Sequence, residues 1–198
     1  MTLPPDELVA LLIAVSFAAG LNVYATVATL GLLGHTRWLA LPASLHLLTD
    51  WWVIAAAGAL FAVELFADKV PAFDLVWNAL HTFIRVPVAA LLAYRAAATL
   101  SPGEQLAAAL AGGLIALIAH GSKTAARAAV TPSPEPVSNI ALSIGEDALA
   151  VFLTWLSVWK PYVAAGIAAV LVLIALLLVR CIWQAIKRLF HRRIQLAG

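Results

Sequence analysis

Apolar residues run through this chain in long blocks separated by short polar stretches, and the blocks mark six segments. They extend from about Leu8 to Leu33, Trp51 to Ala67, Val86 to Leu100, Leu106 to His120, Ile140 to Trp159 and Tyr162 to Ile182. An α-helix needs about 20 apolar residues to cross roughly 30 Å of hydrocarbon. The pattern therefore predicts an all-α polytopic membrane protein, one domain over residues 1–198, with about six transmembrane helices. The third segment is short and Arg95 interrupts it, so neighbouring residues must help it across. The first holds Gly20 and Asn22 in its interior, which allows either one span or a re-entrant pair of half-helices.

Two connections carry patterns of their own. Between Pro71 and Arg85, the residues Asp74, Asn78, His81 and Arg85 recur at helical spacing, with Phe73, Val76, Trp77, Leu80 and Ile84 on the other sides. This predicts an amphipathic helix lying in the interface or dipping inward as a half-helix. The stretch Thr131-Pro132-Ser133-Pro134-Glu135-Pro136 is held extended by its alternating prolines, and Ser138 or Asn139 can cap the helix that follows. Leu65-Phe66-Ala67-Asp68-Lys69 also resembles Ile118-Ala119-His120-Gly121-Ser122-Lys123, which raises the expectation of two related halves.

Composition strengthens the membrane reading. Hydrophobic residues make up 64% of the chain and charged residues only 11%, with a mean hydropathy of +0.98. A soluble domain averages about 25% charged residues, so no sizeable soluble domain fits here. The net charge of +2 is unevenly spread: Arg180, Lys187, Arg188, Arg192 and Arg193 close the chain, and no acid follows Asp147. Behind an apolar segment this is a cytoplasmic tail, about 183–198, anchored to anionic lipid, and no nucleic-acid partner is expected. With six spans, nine basic residues (Lys69, Arg85, Lys123, Arg127 and the five of the tail) fall on the cytoplasmic side against Arg37, Arg95 and Lys160 outside. That count favours both termini in the cytoplasm of a bacterial inner membrane. Paired tryptophans at Trp51-Trp52, with Trp155, Trp159, Tyr162 and Trp183, read as interface anchors. The single cysteine, Cys181, excludes an intrachain disulfide and a cysteine metal cluster. The first residues lack a basic leader, so the first segment is expected to be retained.

The informative residues are the polar ones inside the apolar blocks. A charge near the bilayer centre costs roughly 2.5–3.5 kcal/mol, so each is a candidate functional group. Asn22, Thr26 and Thr29 share a face of the first segment; Glu64 and Asp68 are stacked in the second. His120, Lys123 and Arg127 share a face of the fourth, and Asn139, Ser143, Glu146 and Asp147 form a stripe in the fifth. Lipid does not accept polar stripes, so the four must face one another or a hydrated cavity. The acidic and amide groups Asn22, Glu64, Asp68, Asn139, Ser143, Glu146 and Asp147 make an oxygen-rich candidate site for a proton, Na⁺, Mg²⁺, Ca²⁺ or Mn²⁺. His81 and His120 can add nitrogen for a transition metal. Lys69, Asp74, Arg85, Lys123, Arg127 and Glu135 are candidates for ion pairing or anion binding. Pairing accounts most readily for Asp68-Lys69 and the Asp74–Arg85 face. It is weaker for Glu146-Asp147, whose own segment holds no basic residue, so that a partner from another helix, a bound proton or a cation must stabilise them.

Taken together, Gly20-Leu21-Asn22-x-Tyr24, Glu64-x-x-x-Asp68-Lys69-x-Pro71, His81-Thr82-x-x-Arg85, Ser133-Pro134-Glu135-Pro136-x-Ser138-Asn139 and Glu146-Asp147 resemble a bacterial integral membrane family known as domain-of-unknown-function family 4126. The resemblance spans nearly the whole chain and implies a helical membrane domain with no established activity. Glu64-Leu65-Phe66-Ala67-Asp68-Lys69 is also similar to the Glu-x-Gly-Asp-Lys-Thr signature of a cation/proton exchanger family, with one extra residue, Ala67 for glycine and Val70 for threonine. The sequence-level expectation is a small cation transporter or channel, with possible proton coupling, that uses intramembrane carboxylates, needs no cofactor and forms a homo-oligomer in the bilayer. Two alternatives are a non-transporting scaffold held by structural ion pairs, and handling of anionic lipid or phosphate at the cytoplasmic side. No hydrolase, zinc or phosphate-loop motif is present, so an enzyme is not expected.

Overall fold

A computed structural model describes residues 4–39, 41–67, 71–130 and 136–196, with side chains except at 71–79, 128–130, 136–139, 182, 185–186 and 188–196. Seven α-helices carry the described chain: α1 (Pro5–Leu21), α2 (Val23–His35), α3 (Trp51–Ala67), α4 (Pro71–Ala96), α5 (Pro102–Val130), α6 (Pro136–Trp159) and α7 (Pro161–Leu196), with a short 3-10 helix at Ala43–Thr49 before α3. The described residues are thus all-helical.

The first apolar segment is not one straight span. Asn22 takes an extended conformation between α1 and α2, with φ −149° and ψ 104°. Its backbone N–H still donates to Ala18 at 2.9 Å, closing α1. Its side-chain Oδ1 accepts from the Ala25 N–H at 2.9 Å, opening α2. One asparagine thus ends one helix and caps the next, because its short polar side chain competes with the helical backbone for hydrogen bonds. The two helices then run back to back. Leu8, Leu11 and Val15 of α1 share a core with Leu30 and Leu33 of α2. Asp6, in the first turn of α1, accepts a hydrogen bond from Tyr162 at the start of α7. Just beyond α2, Trp38 meets Trp159 at the end of α6, with ring centroids 6.0 Å apart. The first segment is a hairpin that enters the bundle and returns, and Asn22 is its tip.

The other helices alternate around this hairpin. Trp51, at the start of α3, packs on His35 at 4.4 Å between centroids, and Ser44 donates to the Arg95 carbonyl at the end of α4. These contacts gather one aromatic end of the bundle, from which α1, α3, α5 and α7 depart and to which α2, α4 and α6 return. On α7, Tyr162 and Trp183 are separated by about 31 Å of helix, which matches the hydrocarbon thickness of roughly 30 Å. Lys187 lies over the Trp183 ring at 5.4 Å, the arrangement of an interfacial anchor.

Packing also follows membrane rules. The buried positions are largely small: Ala14, Ala18 and Ala19 of α1, Ala116 and Ala119 of α5, Ala150 of α6 and Ala168 of α7 are fully buried. The outside is large and apolar, with Leu110 and Leu114 of α5 and Leu173 and Leu177 of α7 more than half exposed. Soluble proteins rarely expose such surfaces, whereas membrane helices pack through small residues and offer large ones to lipid. A Cβ on Gly20 would lie 2.5 Å from the Ala116 carbonyl, and one on Gly112 would lie 2.7 Å from Ala93 and 2.9 Å from Ser16. The backbones of α1, α4 and α5 therefore meet at these glycines.

By length and apolarity, three described stretches can cross a membrane: Pro102–Arg127, Ile140–Trp159 and Pro161–Cys181. The bent pair Ala43–Thr49 and Trp51–Ala67, at 64°, makes a fourth when counted as one. These helices mark a membrane protein. Hydropathy marked six segments because it cannot see that the first folds back. Nor does it see that the amphipathic stretch from Pro71 and the short third segment are one continuous helix, α4, of 26 residues with Pro87 inside. Of the two placements expected for the stretch ending at Arg85, its last turn follows the inward one, with Arg85 fully buried and His81 3% exposed, and the helix runs on to Ala96. The helix α5 also runs ten residues past His120, and the tail expected from about residue 183 continues α7 to Leu196. The start of α1 lies against the start of α7, while the end of α7 lies about 54 Å away along a 36-residue helix. The first and last helices therefore place the start of α1 and the end of α7 at opposite ends of the bundle.

Candidate functional site

The four polar stripes do face one another, and they meet around the tip of the hairpin. Glu64 lies thirteen residues into α3 from Trp51, and Asp147 lies twelve residues before Trp159. Both distances correspond to about 18–20 Å along a helix, so the two acidic patches share one layer, past the middle of the bundle. Glu64, Arg85, Asn22 and Ser143 are fully buried, Lys123 is 2% exposed and Asp147 4%.

Three basic side chains organise the layer. Arg85 of α4 donates through Nη2 to Glu64 Oε1 of α3 and through Nη1 to His120 Nδ1 of α5 at 2.8 Å. A guanidinium only donates, so Nδ1 accepts, and His120 is the neutral tautomer with its proton on Nε2. That Nε2–H points to Thr82 Oγ1 at 2.8 Å. Lys123 Nζ is 3.6 Å from Glu64 Oε1 and 3.3 Å from Glu146 Oε2, bridging two acidic patches 82 positions apart in the sequence. Arg127 Nη2 contacts Glu146 Oε2 at 2.8 Å. Ion pairs to two or more partners offset much of the cost of burying these charges.

The hairpin tip is tied into the same layer. Lys123 Nζ donates to the Leu21 carbonyl at 3.3 Å, a carbonyl at the C-terminal end of α1, where a cation also suits the helix dipole. Asn22 Nδ2 donates to Asp147 Oδ1 at 2.8 Å, so a carboxylate faces the N-terminal end of α2, where a negative charge is favoured. The broken helix thus presents a negative end to a lysine and a positive end to an aspartate. Further out, Tyr24 and His81 are hydrogen-bonded at 3.1 Å, with their rings edge to face at 5.6 Å.

The residues expected to form the site divide clearly. Asn22, Glu64, Glu146 and Asp147 come together with Arg85, His120, Lys123 and Arg127, and Ser143 is buried one turn from Asp147. Asp68, Lys69 and Glu135, and the side chains of Asp74 and Asn139, lie outside the described residues. The basic partners seen here come from neighbouring helices. Arg85 pairs with Glu64, and Glu146, which has no basic residue in its own helix, is held by Lys123 and Arg127 from α5. Arg85, Lys123 and Arg127 are interior charges and leave the positive-inside count. The two histidines are engaged with Tyr24, Arg85 and Thr82. Among the described residues, no three His, Cys, Asp or Glu side chains converge as a metal site. Helical spacing does not single out Tyr24 and Thr82, although each sits one helical turn or less from a residue that it does.

A family model for a domain of unknown function, DUF4126, matches residues 9–181. The chain belongs to this family. The match covers every described member of the DUF4126 chain's ion network. No curated protein matches the DUF4126 chain, and no solved structure does.

Proposed function

We propose that the protein is a small secondary transporter for a cation, coupled to protons, with Asn22 and Asp147 at its centre. The observation that carries this reading is the hydrogen bond from Asn22, the break residue of the hairpin, to Asp147. A broken helix inside a membrane exposes helix ends and backbone groups that a continuous span conceals, and transporters use such ends to hold ions. Glu64 and Glu146, paired with Arg85, Lys123 and Arg127, supply a set of charges able to exchange partners when an ion or proton arrives. The basic far end of α7 supports a cytoplasmic face there, in a bacterial inner membrane. Asp6 then sits on the opposite face. A chain of 198 residues encloses little pathway alone, so assembly with further copies belongs to the proposal.

The test is reconstitution in liposomes with a pH-sensitive dye inside and imposed Na⁺, K⁺ or Mg²⁺ gradients. Cation-driven proton movement is expected, and its loss in folded Asp147→Asn and Asn22→Ala variants. Absence of such movement in the native protein, or full activity in both variants, overturns the reading.

A second reading, a scaffold pinned by structural ion pairs, draws on the buried pairing of Glu64 and Glu146. It expects no flux and a network that apolar substitution can replace. Handling of anionic lipid or phosphate draws less on this geometry, because Arg85, Lys123 and Arg127, three of the four basic residues it would use, contact carboxylates inside the bundle.

A further inference from the structure

Helices α3 and α6 each pack on α2, and between them a groove of about 580 Å³ runs along the bundle. Its walls include Phe61 and Leu65 from α3 and Val151, Phe152 and Trp155 from α6, and its charged member is Asp147. Phe152 and Trp155 are 46% and 40% exposed, with ring centroids 6.2 Å apart. From Trp155 to Asp147 the groove follows about 12 Å of helix, leading from the aromatic end of the bundle down to the ion network.

We propose that this groove is a lateral entry and binding site for a lipophilic organic cation, an amine or onium ion bearing aromatic or alkyl groups. The proposal rests on the cation-transport reading and names its substrate class. The chemistry of the walls selects the occupant. A carboxylate at the inner end supplies charge complementarity, and two aromatic rings along the way attract a desolvated cation through their π faces. An inorganic ion requires several oxygen ligands to replace its water, and Val151, Phe152, Trp155, Phe61 and Leu65 offer none. The volume suits an organic molecule, since pockets for such ligands span about 300–1,000 Å³. The opening lies on the flank that large apolar residues mark as lipid-facing, so a ligand dissolved in the bilayer reaches Asp147 without crossing water. Asn22, bonded to Asp147 Oδ1, then connects ligand binding to the hairpin tip.

The test uses two ions of the same shape and opposite charge, tetraphenylphosphonium and tetraphenylborate, with the purified full-length protein in detergent. Saturable binding of tetraphenylphosphonium and none of tetraphenylborate is expected. Asp147→Asn should weaken binding by at least about tenfold, a change of roughly 1.4 kcal/mol. Val151→Trp, at a partly exposed wall position, should abolish binding by filling the groove while leaving the melting temperature unchanged. Equal binding of both ions would make the groove a site for any lipophile, including an acyl chain, and overturn the proposal. So would binding that survives Val151→Trp, or a change of oligomeric state in that variant, which would make the groove a subunit interface. Asp147-dependent flux of an inorganic cation without tetraphenylphosphonium binding removes the groove and keeps the transporter. Charge-selective binding without any flux does the reverse.

Discussion

Asn22 Nδ2 lies 2.8 Å from Asp147 Oδ1, joining two residues 125 positions apart at the point where the membrane hairpin turns. The same asparagine caps α2 through Oδ1, so one side chain fixes both the turn and the carboxylate. Asn22→Ala should remove a helix cap worth about 1 kcal/mol and a hydrogen bond to a charged group worth about 1.5–3 kcal/mol. Thermal unfolding in detergent should register a loss on the order of 3 kcal/mol. Asn22→Asp keeps the cap but sets two carboxylates together, and should be at least as damaging at neutral pH.

Arg85 and Glu64 form a fully buried pair. Removing one charge strands the other, so Glu64→Leu should cost about 3–5 kcal/mol. The double variant Glu64→Leu, Arg85→Met removes both charges and should recover a large part of that loss, with a coupling energy of about 0.5–3 kcal/mol from the double-mutant cycle. Lys123 and His120 also touch this pair, so recovery should be incomplete. Additive losses in the cycle would show that the two side chains are not coupled.

The glycines should separate into two classes. Gly112→Ala places a methyl group 2.7 Å from Ala93 and 2.9 Å from Ser16, and should destabilise by about 1–3 kcal/mol through overpacking. At Gly121 and Gly166 an added methyl group would meet nothing within 4 Å. Alanine there should be neutral or stabilise by up to about 1 kcal/mol, the difference in helix propensity. Melting curves of the three variants check the order.

The ends of the described chain should be reached from opposite faces of the membrane. In a Cys181→Ser background, Glu7→Cys and Lys187→Cys should react with a membrane-impermeant maleimide in vesicles of opposite orientation. Labelling of both from the same face would refute the hairpin arrangement of α1 and α2.

Local pattern was enough to read much of this protein. The apolar blocks specify helices in lipid because an unsatisfied backbone is too costly there, and the second block coincides with α3, Trp51–Ala67. Helical spacing also identified Asn22, Glu64, His120, Lys123, Arg127, Glu146 and Asp147 as residues that must turn inward, since lipid leaves a polar stripe no other choice. What spacing does not encode is the register between distant helices. That Lys123 reaches both Glu64 and Glu146, that Arg85 is a core residue of a long α4, and that Glu146 draws its cations from α5 all depend on how helices far apart in sequence align. The turn at Asn22 belongs to the same class. Its sequence permits a break or a straight span, and only the charges assembled around it, with Lys123 at one helix end and Asp147 at the other, make the break the stable form.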